Sequence, residues 1–222
     1  MKIDFHVHTN HSPDSLTRIA DLQRKSEALG IVPALADHYS IGAHREARSL
    51  GMRFIPGEEI LTDKGDLIGL YLSELIPKNV PFAEAIDNVH GQGGLAYLPH
   101  MYDVGRLRAH AGAPSASEKE ASKADIVEVF NARCLNQDFN ARAAAFAEKY
   151  DKPGAAGSDS HFLFEFGSTY AELPDFDIED NPSGLLKALK DKDAKLVTRP
   201  APFYVRGTTS IIHAAKKLMG RV

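Results

Sequence analysis

The chain has 222 residues, 43% of them hydrophobic, with a net charge of −4 and one cysteine. That length suits a single domain, 1–222, with a sizeable core, and the charge argues against broad electrostatic binding of nucleic acid, which needs a basic face. The lone Cys134 excludes an intramolecular disulfide, no apolar run is long enough to span a bilayer, and no charged leader precedes the first strand, so a cytoplasmic protein without a membrane partner is expected.

The opening KIDFHVH (2–8) reads as a strand. Leu, Ile and Ala at helical spacing over 17–29, closed by Gly30, predict a helix. IVPALADH (31–38) is a second strand, 40–51 a helix closed by Gly51, and MRFIPGEEIL (52–61) a third strand. TDKG is a turn before a fourth strand, DLIGLYL (66–72). A helix over 82–90 precedes the strand GGLAYLPH (93–100), and the polar stretch 112–123 is a loop or short helix. ADIVEVFN (124–131) is a strand, 136–149 a helix, KPGAAGSDSH (152–161) a strand end and STYAELP (168–174) a short strand. Helices are expected over 182–190 and 210–219. Strands alternating with helices imply repeated βα units and a largely parallel sheet. About seven such strands suit a barrel; a doubly wound open sheet is the alternative, but no Gly-rich phosphate loop follows the first strand.

Ligand-type side chains gather at the strand ends. His6 and His8 stand two apart, so they share one strand face and can chelate one cation. Asp37 and His38 close the second strand, Glu58 and Glu59 the third, His100 the strand before Met101, and Asp159 and His161 the strand after Gly154. In βα barrels such ends build the active site.

DFHVHTNHSPDS, ALADHYS, IPGEEILT, YLPHMYD and AGSDSH, in that order, closely resemble the motifs of the PHP (polymerase and histidinol phosphatase) family. The resemblance implies a distorted (β/α)7 TIM-like barrel in a single domain. It implies two or three divalent ions (Mn, Fe or Zn) and hydrolysis of phosphate esters through a metal-bridging hydroxide. Its implied metal ligands are His6, His8, Asp14, His38, Glu59, His100, Asp159 and His161, with His11 a lesser claimant beside Asp14. A Pro-Gly-x-Glu pattern selects Glu59 over Glu58. Where many members carry a further histidine, Asp66 stands here; it is either an oxygen ligand brought back beside Glu59 by the turn, or a turn residue.

Phosphoester hydrolysis explains the residue types, since a metal lowers the pKa of bound water towards about 7 and neutralises phosphoryl oxygens. Arg106 either binds a substrate phosphate or is an ordinary loop arginine, with Arg133 and Arg45 weaker candidates. The general acid is a metal-bound water or His161. Cys134 is expected to be a packed or partly exposed thiol, and His44, His90, His110 and His213 to lie on the surface. The expected substrate is a small-molecule or nucleotide phosphate ester or a short oligonucleotide, with no stable binding of duplex nucleic acid. An amidohydrolase-type enzyme cleaving C–N bonds and a non-catalytic metal-binding module are the alternatives. The first commonly uses a bridging carboxylated lysine, and no lysine stands at a strand end here.

Overall fold

A computed structural model describes residues 1–103 and 116–219. Ten strands are found among them: β1 (Lys2–Val7), β2 (Ile31–Leu35), β3 (Asp37–His38), β4 (Gly57–Thr62), β5 (Gly65–Leu70), β6 (Leu95–Leu98), β7 (Ile126–Asn131), β8 (Gly154–Gly157), β9 (Tyr170–Glu172) and β10 (Lys195–Val197). The described helices are α1 (Ile19–Leu29), α2 (Gly42–Ser49), α3 (Phe82–Gly91), α4 (Glu118–Ala121), α5 (Gln137–Lys149), α6 (Pro182–Leu189) and α7 (Val205–Leu218).

Local chemistry sets the helix ends. Gly30 closes α1 at φ 64°, a left-handed conformation that glycine adopts without strain. The Asn136 and Asn181 side chains accept from Asp138 N and Gly184 N, each at 2.9 Å, to start α5 and α6. Ser117 and Glu120 form a reciprocal capping box on α4. On α3, Phe82, Ala85, Ile86 and Val89 are buried, one face at helical spacing.

The expected seven-strand barrel is not continuous. The strands form two mixed sheets, ordered β10-β9-β1-β2 and β3-β4-β5-β6-β7-β8. The expected second strand divides at Ala36: β2 pairs with β1, whereas β3 pairs with β4. The turn after Thr62 is too tight for a crossover, so β4 and β5 form an antiparallel hairpin, and β5 also runs antiparallel to β6. Single parallel bridges, Val7 to Ser160 and Ala34 to Ile55, join the sheets at their seams. Both sheets nonetheless surround one core. Ile3 and Phe5 of β1, Leu70 of β5, Tyr97 of β6 and Ala155 of β8 belong to a single buried cluster. The fold is therefore α/β and TIM-like, with an interrupted ladder. The last described helix starts at Val205, earlier than its sequence pattern suggests, and β10 had no separate sequence signal. Among the described residues no helix is long and apolar enough to cross a membrane.

Candidate metal centre

Strand β1 carries Ile3, Phe5 and Val7 into apolar packing and sets His6 on its other face, with His8 one residue past its end. Both imidazoles are fully buried, and their Nε2 atoms face each other at 3.0 Å. The outer nitrogens are held from behind: His6 Nδ1 by Glu128 Oε1 at 3.1 Å and His8 Nδ1 by the Ser12 hydroxyl at 3.0 Å. A neutral imidazole donating to a carboxylate leaves its opposite nitrogen with a lone pair, so His6 in its neutral form presents an acceptor inwards; burial opposes its charged form, but Asp159, Glu128 and Glu59 outweigh burial and raise it well above its ordinary range. Gly157 of β8 permits this placement, because a Cβ there would lie 2.5 Å from that of His6.

Glu59 lies at the centre. It is the third residue of β4, not at the strand's end as the sequence pattern suggests, and it is fully buried. Its Oε2 is 3.1 Å from His38 Nδ1, 3.3 Å from His8 Nε2 and 3.4 Å from His6 Nε2, while Oε1 meets His100 Nε2 at 3.0 Å. Asp159 Oδ1 approaches His8 Nε2 at 3.4 Å and His161 Nδ1 at 3.5 Å. Asp14 Oδ2 faces His161 Nε2 at 3.1 Å and His38 Nε2 at 3.6 Å. His161 Nδ1 lies 2.9 Å from the Asp159 carbonyl, to which it donates, so Nε2 and the Asp14 carboxylate meet lone pair to lone pair unless a proton or cation lies between.

Adjacent residues on β4 face opposite ways, and Glu58 points away. It accepts from Ile76 N at 2.9 Å, and burial pushes its carboxyl up to about 7. Asp66 sits across the hairpin from Leu61, whereas Ile68 is in register with Glu59. Its carboxylate still falls within one compact ligand group with Glu59 and His100, on the diagonal of the ladder. Three further ligand groups, His6, His8 and Glu59, then His8, His38 and His161, then His6, His100 and Asp159, share residues with one another.

Without a cation the electrostatics divide the imidazoles between neutral and charged forms. Burial lowers the His8 imidazole well below its ordinary range, aided by the neighbouring His161 and His38, so it is neutral. Burial works the same way on His38, but Glu59 and Asp14 outweigh it and raise that imidazole to about 10. Burial opposes ionisation of Glu59 and Asp14, yet the surrounding imidazoles hold both carboxyls well below the usual range. Glu59 Oε2, Asp14 Oδ1 and His38 Nδ1 are buried and make no hydrogen bond among the described residues. Buried polar atoms ordinarily have partners. Inward-facing nitrogen and oxygen donors with outer nitrogens already held are what a divalent cation requires, and the residues fit that group. His100 and Asp159 add backbone evidence, with φ of 26° and 52°. Strain of this kind in non-glycine residues concentrates at functional sites.

Several supporting residues escaped the sequence analysis. Glu128 and Asn131 on β7 are fully buried. Glu128 Oε2 accepts from His100 N at 2.8 Å, and Asn131 Nδ2 donates to Glu128 and Asp159 at 2.9 and 3.1 Å. The available signal was a glutamate inside the apolar run IVEVF. Asp37 binds Thr9 N and its hydroxyl, both at 2.6 Å, and so shapes the loop towards Asp14 rather than joining the ring. Arg133 does not face the site as a free phosphate binder: it is buried against Glu165. Arg45 is exposed on α2, and His11 bonds Glu46 away from the ring. His44 is buried, contacts Gly57 O at 2.9 Å, and is pushed by burial down to about 4. His90 is bonded to Asp125 at 2.8 Å. His213 is on the surface as expected, and Cys134 is packed. Arg106 and His110 lie outside the described residues.

A family model described as PHP-associated matches residues 137–193. An uncharacterized protein of Methanocaldococcus jannaschii is 41% identical over 202 residues, covering 89% of this chain and 82% of the relative. A two-domain protein from Bacteroides vulgatus, containing a predicted PHP-like metal-dependent phosphoesterase, is similar in structure with a TM-score of 0.68 and 18% identity, over 90% of this chain and 65% of that one. Endonuclease Q, solved with a 27-mer duplex substrate bearing an abasic lesion at the active site, gives a TM-score of 0.59 and 15% identity, over 87% of this chain and 57% of that one. This chain thus spans less than two thirds of either solved protein. The last similarity corrects the expectation that duplex nucleic acid is excluded: a fold of this kind does accept a duplex, so a net charge of −4 does not rule one out. Net charge sums the whole surface, whereas binding depends on the local field.

Proposed function

The chain belongs to the PHP family, and from that premise we propose that it is a metal-dependent phosphoester hydrolase. Its ions would be held by His6, His8, Asp14, His38, Glu59, Asp66, His100, Asp159 and His161. The observation that carries this is Glu59 Oε2, buried without a hydrogen bond and within 3.1 to 3.4 Å of three imidazole nitrogens. The four overlapping ligand groups suit two or three divalent ions. A mixed imidazole and carboxylate set suits Mn, Fe or Zn.

Bound there, divalent ions would lower the pKa of water and neutralise charge on the phosphoryl oxygens. The protein's own part is positioning. Glu128 and Ser12 fix the ring orientations of His6 and His8, and Asn131 fixes Asp159. Asp14, His38 and Asp66 are the partly exposed members, the first two at 19% and 17%, so the ester would approach from their side. Hydrolysis breaks one P–O bond, adding hydroxyl to phosphorus and a proton to the leaving alcohol. Arg106 is proposed to steady the phosphate, and His161, beside Asp14, is the protein group nearest in kind to a general acid. Glu59 would supply the central carboxylate for which an amidohydrolase-type site commonly uses a carboxylated lysine.

Protein purified without chelator should carry at least two divalent ions and hydrolyse p-nitrophenyl phosphate with Mn²⁺. EDTA and His8→Ala should each abolish the turnover. A metal stoichiometry below one, or turnover of amides and lactones but no phosphate ester, would overturn the proposal.

A further inference from the structure

The C-terminal segment has a charge pattern unlike the rest of the chain. Residues 194–222 contain Lys195, Arg199, Arg206, Lys216, Lys217 and Arg221, six of the 26 Lys and Arg, and none of the 30 Asp and Glu. The remainder is therefore strongly acidic, and the segment supplies a local positive charge that favours a polyanion.

Its described part, 194–219, runs along one side of the metal centre. Ala201 N donates to Ala132 O at 2.8 Å, just past β7. Arg199 N donates to the Thr169 hydroxyl at 3.0 Å, and the Val205 carbonyl accepts from Arg133 Nη2 at 3.3 Å. Helix α7 then crosses to the loop after β1. There Lys216 Nζ donates to the carbonyls of Asn10, Ser12 and Ser15 at 3.2, 2.6 and 2.7 Å, in the loop that carries Asp14. Thr209, Ser210 and His213 face Asp14 across a cavity of about 270 Å³.

The same segment exposes the rings of Phe203 and Tyr204, and Phe164 lines a cavity with its residues 199–202. Phe203 is 88% exposed, Tyr204 55% and Phe164 57%. Phe203 and Tyr204 meet edge to face at 5.8 Å. Phe164 and Arg199 line a second cavity of about 270 Å³. Clustered exposed aromatics mark an interaction surface. Bases stack on such rings irrespective of sequence, while cations beside them take the phosphates. A small phosphate ester has no use for three exposed rings, and an apolar protein partner has no use for an acid-free run of cations.

We infer that residues 199–204, Phe164 and helix α7 form a binding surface for a single polynucleotide strand. Arg199 and Lys217 take its phosphates, the three rings take its bases, and a phosphodiester is led past Asp14 and His213 into the metal centre. This rests on the phosphoester reading of that centre.

The test is fluorescence anisotropy of the full, metal-loaded chain with a labelled oligo-dT of about twelve phosphorothioate-linked nucleotides, which resist cleavage. Binding should weaken as salt rises. The double variant Arg199→Glu with Lys217→Glu should lose about tenfold in affinity and flatten the salt dependence. Phe203→Ala should lose about fivefold with the salt slope unchanged. All these side chains are exposed, so melting temperature and metal content should stay at wild-type values. Absent binding at moderate salt, or unchanged affinity in both variants, overturns the inference. So does self-association of the chain that Phe203→Ala abolishes, which makes the rings an interface with a second copy. Strand binding with a metal stoichiometry below one leaves this surface standing and sinks the phosphoester reading; full metal and ester turnover without strand binding does the reverse.

Discussion

Arg133 and Glu165 form a buried ion pair with two parallel bonds, Nε to Oε1 at 2.9 Å and Nη2 to Oε2 at 3.1 Å. Glu165 also accepts from the backbone N of His161 and Phe162, both at 3.1 Å, and Arg133 donates to Val205 O. Every strong group there has a partner within the chain. At the metal centre, Glu59 is just as buried but surrounded by imidazole nitrogens, and one of its oxygens makes no hydrogen bond. Both regions bury charge. The first is closed on itself and holds the His161 loop; the second is left open towards a shared centre. Depth of burial does not separate scaffold from candidate ligand, and neither does an open lone pair alone, since Glu58 Oε1 also makes no hydrogen bond; what marks Glu59 is that its open oxygen faces three imidazole nitrogens.

The largest expected effect separates the two adjacent glutamates of β4. Glu59→Gln should lower phosphoester turnover by about a thousandfold or more and reduce metal content, because a neutral amide cannot balance the cations. Glu58→Gln should keep metal and most activity, since its amide oxygen can still accept from Ile76 N. Elemental analysis beside initial rates checks both, and the reverse pattern would mean that Glu58 faces the centre.

The closed pair should respond as a unit. Arg133→Met alone strands a buried carboxylate and should destabilise the chain by about 3 kcal/mol, read by urea denaturation. Adding Glu165→Leu should restore much of that loss, although the His161 backbone N–H then lacks its acceptor. No recovery in the double variant would mean that Glu165 acts mainly through the His161 and Phe162 amides.

The smallest effect is expected at Asp66, which is half-buried at the edge of the centre. Asp66→Ala should lose one ion while retaining the fold and the remaining ligands, and Asp66→His should be tolerated with altered metal preference. Unchanged metal content in Asp66→Ala would reduce it to a turn residue.

Much of the centre was legible because its ligands obey local rules. His6 and His8 share a face through the two-residue period of a strand, and the same rule separates Glu59 from Glu58. The helices were legible from apolar spacing and from ends such as Gly30 and Asn136. What escaped was non-local. Glu128 reaches His6 across 122 residues of chain, and Asp14 reaches His161 across 147. His44 reads as a surface histidine on a polar helix until β4 packs over it at Gly57.

The sequence by itself determined which side chains are candidate cation ligands, through a motif resemblance, and the alternation of strands and helices and the shared face of His6 and His8, through backbone period. Only the tertiary structure decided that the second strand divides at Ala36, that β4 and β5 form a hairpin setting Asp66 diagonal to Glu59, that Arg133 is closed against Glu165, and that the acid-free C-terminal segment lies beside Asp14. Register, seams and second partners are set by contacts between segments distant in the chain, and no local pattern encodes which of the chemically equivalent partners will meet.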